Sequence, residues 1–166
     1  MLLPLLVEKL QLLPHPEGGF YKETYRSTET IAKEALPERF SGDRHFSTAI
    51  YFLLPQGVFS AFHRIQSDEL WHFYQGSSLH IHVILPNGRY ELLQLGSHIE
   101  RGESFQQMVP AGSWFASEPV EDGNAFSFVG CTVAPGFDFA DFELAIANEL
   151  MQSYPSLSSI IQRLCR

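Results

Sequence analysis

Basic residues are few and scattered in this chain. Eleven Lys and Arg stand against 19 Asp and Glu, giving a net charge of −8 over 166 residues. No window of five to eight residues is rich in Lys or Arg, so the stripe of charge that neutralises phosphates is missing. Nucleic acid and anionic membrane are poor partners for such a surface, and the acidic balance suits a cytoplasmic protein. Cysteine is scarcer still: Cys131 and Cys165 form no C-x-x-C, and their separation neither binds zinc nor builds a disulfide framework. Cys131 lies in an apolar stretch and reads as a buried thiol. Methionine occurs three times against 14 phenylalanines, which favours aromatic packing between sheets over a flexible helical groove. No apolar run approaches the roughly 18 residues needed to cross a bilayer. The leucine-rich start, Met1 to Pro14, lacks a basic leader and is interrupted by Pro4, Glu8 and Lys9. Leu3, Leu6, Leu10 and Leu13 recur at helical spacing, so it reads as a short amphipathic helix rather than a signal peptide. Walker-type loops, G-x-G-x-x-G and a Ser-His-Asp ordering are also missing, which leaves phosphoryl and acyl transfer without support.

A core, by contrast, is well provided for. Hydrophobic residues make up 45% of the chain and aromatics 13%, enough to exclude wholesale disorder at this length. No repeat, linker or composition break divides residues 1–166, which read as one domain. After the first helix, a turn at His15-Pro16-Glu17-Gly18-Gly19 leads into a strand-like segment from Phe20 to Ser27. Residues 28–46 are polar and read mostly as loop. Short alternating or apolar runs follow at 48–54, 58–65, 69–75, 79–85, 89–95, 105–109, 113–117 and 125–133. Turn clusters separate them, which indicates a β sandwich or barrel. Asn87-Gly88 is the sharpest hairpin signal, since both residues tolerate the positive φ of a type I′ turn. Residues 141–153 and 157–164 carry apolar residues at helical spacing on either side of Pro155, and predict one or two closing helices.

The chemistry concentrates between Gly57 and Gly76. His63 and Ile65 share one strand face with Phe59 and Ala61. The turn Gln66-Ser67-Asp68 then delivers Glu69 at the head of the next strand, so that an imidazole and a carboxyl converge on one apolar cavity. If Glu69 points inward, so do Trp71 and Phe73, while Leu70, His72 and Tyr74 point out. A two-residue turn at Gly76-Ser77 would pair Trp71 with His82 and add His80 and His82 to the cavity wall.

This spacing resembles the first signature of the cupin superfamily: glycine, five residues, His, one residue, His, then Glu and a closing glycine. Val109-Pro110-Ala111-Gly112-Ser113-Trp114-Phe115 resembles the second, in which Pro-x-Gly precedes two residues and a His. The segments His15–Ser27, Ser67–Gly76 and Gly130–Phe137 look like a small cupin branch without assigned activity, similar in fold to dTDP-sugar epimerases. The resemblance implies an all-β double-stranded β-helix (a jelly-roll barrel), usually dimeric, with a ligand pocket inside. It also implies metal ligands at four positions, which here hold His63, Ile65, Glu69 and Phe115. Two donors fall short of the three or four that hold a divalent ion, so a metal site is not favoured and the cofactor is left unassigned.

The expectation is a cytoplasmic homodimer that binds a small polar metabolite, sugar-like or carboxylated. His63 would exchange the proton in a metal-independent isomerisation or epimerisation, and Glu69 would orient it. Arg26 would anchor an anionic group or form a rim ion pair, with Trp71 and His82 completing the binding surface. Glu17 reads as a turn carboxylate and His15 as part of the same turn. The alternatives are a metal-dependent, oxygenase-like cupin enzyme and a non-catalytic sensing module.

Overall fold

Runs that alternate apolar and polar residues can bury one face only as strands, and the turn clusters decide where each strand ends. The computed structural model describes residues 2–166 and follows that logic. Helix α1 (Leu2–Leu10) is followed by strands β1 (Leu13–Pro14), β2 (Phe20–Arg26), β3 (Thr30–Ile31), β4 (Arg44–His45), β5 (Thr48–Pro55), β6 (Ser60–Arg64) and β7 (Asp68–Gly76). Then come β8 (Leu79–Ile84), β9 (Tyr90–Leu95), β10 (Gln106–Val109), β11 (Trp114–Pro119), β12 (Phe126–Ala134) and β13 (Glu143–Leu144). Helices α2 (Ala147–Ser153) and α3 (Ser158–Arg163) close the chain.

The strands form a six-stranded sheet, β1-β2-β5-β12-β7-β10, and a five-stranded sheet, β13-β6-β11-β8-β9, with β3 and β4 paired apart. Inward residues of the two sheets share one core. Phe52, Leu54, Trp71, Val109 and Val129 meet Leu79, Ile81, Val83, Leu95 and Phe115. Each such side chain contributes about 1.5–3 kcal/mol when fully buried. This packing fills one end of the barrel and leaves the other for a cavity. Outside the five-stranded sheet, Phe62, Ile84 and Ala116 lie against Ala145, Leu150, Ile161 and Leu164, so the C-terminal helices cover that face. Helix α1 covers part of the six-stranded sheet, where Leu53, Phe126 and Phe128 pack with Leu3, Leu6 and Leu10.

Three local expectations differ from the structure. The helix expected over 141–153 starts only at Ala147. Before it, β13 pairs with β6 and the Ala145 N–H donates to Phe62 O at 2.9 Å, because that sheet edge offers the backbone better partners than an isolated turn. The β8–β9 hairpin is not of type I′. Only Gly88 takes a positive φ (84°), because Pro86, whose ring holds φ near −65°, occupies the first corner. Finally, β7 and β8 do not pair. Gly76 (φ 94°) packs against Phe126, where an added Cβ would lie 2.1 Å from the carbonyl oxygen, and the chain there crosses from one sheet to the other.

Candidate active site

A glycine places the first buried side chain of the site. Gly18 adopts φ 117° and leaves no room for a side chain, since a Cβ would lie 2.2 Å from Phe59 O. The His15–Gly19 turn therefore folds against β6, and the Ala61 N–H donates to Glu17 O at 2.9 Å. Glu17 is thereby carried into the barrel, where it is buried.

Its partner is His63 on β6. His63 Nδ1 lies 2.7 Å from Ala61 O, and because a carbonyl only accepts, Nδ1 carries the proton. Nε2 is left facing Glu17 Oε2 at 3.1 Å. The His63 ring is walled by Phe115, its cross-strand neighbour, at 4.1 Å between centroids, and by Phe142, stacked at 5.4 Å. Burial there lowers the imidazole from 6.5 to about 3. His15 closes the other side, with Nδ1 3.3 Å from the Glu17 backbone nitrogen and 3.5 Å from Glu17 Oε2. Burial lowers it to about 4. Both carboxyls move the opposite way. Burial and the nearby charge of Glu69 hold Glu17 well above the ordinary range. Glu69, at the head of β7, is raised by burial to about 7, with the Cys131 thiol beside it acting against the shift. At neutral pH the two imidazoles and Glu17 are therefore neutral, and Glu69 is divided between its acid and its carboxylate.

These groups lie on the wall of a cavity of about 670 Å³ that runs from the exposed rim at Leu13 and Phe139 to His15, Glu17, His63, Glu69 and Cys131 at depth. Ile50, Ile65 and Val133 supply its apolar lining. Arg26 lines the rim, but its guanidinium is engaged: it donates to Glu23 Oε1 and Oε2 at 2.9 and 2.8 Å and to Phe137 O at 3.1 Å. Trp71 points inward yet lies beneath the cavity, edge-on to Phe52 and Phe115 in the filled half of the barrel. His82 is a correction. With β8 in the other sheet its side chain faces outward, where Tyr90 Oη lies 2.7 Å from Nδ1 and Glu118 Oε1 lies 3.0 Å from Nε2. Arg163 on α3 donates to the same Glu118 at 2.7 Å, so His82 belongs to the docking of the C-terminal helix. The roles within the site also change. His63 is oriented by Glu17 and Ala61 rather than by Glu69. His15 and Glu17, read from the sequence as turn residues, belong to the constellation. Their signal was the adjacent Gly18-Gly19, which lets the turn enter the barrel.

The fold has its counterpart among known proteins. A family model described as the Cupin superfamily (DUF985) matches residues 5–145. The chain belongs to the cupin superfamily. This cupin is 33% identical to the uncharacterized protein YML079W of Saccharomyces cerevisiae, over 82% of its own length and 71% of that protein. It superposes on a hypothetical protein from Leishmania major with a TM-score of 0.88 and 37% identity, covering 98% and 97% of the two chains. Protein SO0799 from Shewanella oneidensis gives 0.86 and 40%, covering 97% and 95%. Oxalate decarboxylase from Bacillus subtilis shares the fold alone, with a TM-score of 0.55 and 13% identity over 91% of this chain and 36% of that one.

The metal that the cupin pattern implies finds no donor set here. Two of the four positions are Ile65 and Phe115, and both nitrogens of His63 are engaged by Ala61 and Glu17. His72 faces outward, with Nε2 2.9 Å from Thr132 Oγ1. Among the described residues no three His, Cys, Asp or Glu side chains are grouped to hold a metal ion. Among the same residues no helix is long and apolar enough to cross a membrane.

Proposed function

We propose that this cupin binds a small polar metabolite, sugar-like or carboxylated, in the open half of its barrel. There it moves a proton next to the ligand's carbonyl group without a metal, as an isomerase or epimerase does. The observation that supports this most is the Glu69 carboxyl, buried on the cavity wall and held at about 7. A carboxylate near the operating pH is a better base than an ordinary one, and it still exists in the deprotonated form. The cavity volume of about 670 Å³ suits a small molecule. Glu69 therefore takes the role of base that the sequence suggested for His63, whose nitrogens are both engaged. Arg26 meets an anionic substituent at the rim only by giving up part of its pairing with Glu23.

The test is to incubate the protein with aldoses, ketoses, hydroxy acids and keto acids in D₂O and follow their C–H signals by NMR. Exchange or interconversion by the wild type, lost in Glu69→Gln, supports the proposal. Ligands that raise the melting temperature without any exchange make the protein a binding module instead. The proposal includes a homodimer, supported by Tyr25, Tyr74, Phe105 and Met108, which lie exposed on or beside the outer face of the six-stranded sheet. Light scattering that returns a monomer mass at every concentration removes that part.

A further inference from the structure

We propose that Glu17 is the proton donor of this cavity: a neutral carboxylic acid that rests its O–H on His63 Nε2 and delivers that proton to the carbonyl oxygen of an α-hydroxy aldehyde or ketone. The inference rests on the reading of Glu69 as base, and extends it to the acid partner and the class of substrate.

Hydrogen-bond direction carries the argument. His63 Nδ1 must donate to Ala61 O, so a neutral ring presents a lone pair at Nε2, 3.1 Å from Glu17 Oε2. The Glu17 backbone N–H donates to His15 Nδ1 at 3.3 Å, so that nitrogen is an acceptor too, and it lies 3.5 Å from the same Oε2. Glu17 Oε2 thus faces the unshared lone pair of His63 Nε2, with His15 Nδ1, already accepting the backbone N–H, on its other side. One proton on that oxygen satisfies the arrangement, whereas a carboxylate would face at least one lone pair with nothing between them. The ion-pair alternative, imidazolium with carboxylate, would need further donors around both charges to offset desolvation. The rings of Phe115 and Phe142 that flank His63 offer none, and the one that the Ser60 hydroxyl gives Glu17 is outweighed by burial and by Glu69. The titratable groups around Glu17 are His15, His63, Glu69 and Cys131. Of these, ionised Glu69 opposes a second negative charge.

An acid and a base on one cavity wall define a reaction that balances. The Glu69 carboxylate takes the proton from C2 of the ligand, and the C–H pair becomes the C1–C2 double bond. The carbonyl π pair moves to O1, which takes the Glu17 proton, giving a neutral enediol. The Glu17 carboxylate then takes the O2 proton while Glu69 returns its proton to C1, which leaves the carbonyl at C2 and restores both groups. One negative charge passes from Glu69 to Glu17 and back, and no additional charge is created in the dry site. A carboxylic acid kept neutral by its surroundings is a competent donor to a developing oxyanion.

The test uses the full-length protein labelled with ¹³C and ¹⁵N, with Glu17→Gln and Glu69→Gln for assignment. Between pH 5 and 8 the Glu17 carboxyl carbon should stay at its protonated position, and His63 should remain a neutral ring protonated at Nδ1. A Glu17 carboxylate beside a doubly protonated His63 at pH 7 overturns the proposal. If Glu17 stays neutral while Glu69 titrates as an ordinary carboxyl, the base reading fails and the donor assignment stands. In a second arm, saturating [2-¹³C]hydroxyacetone should show a downfield carbonyl shift that falls in Glu17→Gln. Failure of hydroxyacetone to bind, or a shift that is the same in both proteins, overturns the donor role toward this substrate class.

Discussion

Glu69→Gln keeps the side-chain shape and an acceptor for the Cys131 thiol but removes the proton equilibrium, which makes it a direct probe of the buried carboxyl. Burial lifts Glu69 from 4.5 to about 7 in the folded protein, while the unfolded chain titrates near the ordinary value. Between those limits the unfolded side chain has released its proton and the folded one still holds it. Wild-type stability therefore falls by about 1.4 kcal/mol per pH unit across that window. The contribution is fully present below about pH 4.5 and is lost as the pH passes 7, a total of about 3 kcal/mol. Glu17 acts in the same direction. His63 and His15, lowered to about 3 and about 4, act in the opposite one, because below 6.5 the unfolded imidazoles are charged and the folded ones are neutral. The two histidine contributions are common to wild type and variant, and Glu17 loses only the part of its shift that the Glu69 charge supplies, so the difference between the two proteins reports the Glu69 charge and its coupling to Glu17. Urea unfolding at intervals from pH 4.5 to 8 measures it, with the variant gaining about 3 kcal/mol on the wild type over that range. A difference that stays flat with pH means that Glu69 ionises normally in the folded state, and the reasoning about the cavity floor fails.

Asp141→Ala leaves Arg44 buried without its bidentate partner, now held at 2.6 and 2.8 Å. Thermal or urea denaturation should show a loss of about 3 kcal/mol or more. Gly18→Ala meets both the positive φ and the 2.2 Å approach to Phe59 O. It should cost more than the roughly 1 kcal/mol of an ordinary left-handed glycine and disturb the His63 ring signals, because it displaces Glu17. Exhaustive treatment with a chelator should leave the melting temperature unchanged, and elemental analysis of protein purified without chelator should find metal well below stoichiometric.

Much of the strand layout was legible because each run carries its own period and each boundary its own turn residues. The inward parity of Glu69 and Trp71 followed from the same local rule. What was not legible depended on partners far away in the chain. Trp71 faces inward as expected, but whether an inward residue meets cavity or core depends on its height in the barrel. His82 came out on the opposite face from expectation because the chain changes sheets at Gly76, a decision made by packing against Phe126 rather than by the turn sequence. The helical spacing of Phe142, Ala145 and Ile146 yielded to the free edge of β6. Glu17 was hidden by the same kind of distance: beside two glycines it looks like a turn residue, and only the fold brings His63 to it. The Arg44–Asp141 pair, 97 positions apart, carried no sequence signal at all.

The core beneath the cavity, of which the Trp71–Phe115 contact is part, closes that end of the barrel and makes the chamber a dead end. Whatever enters past Phe139 must leave by the same doorway, so an incoming molecule waits for the outgoing one. For the turnover proposed above, the departing compound would compete with the arriving one, and an intermediate would have no straight path through the barrel to a partner docked at the far end.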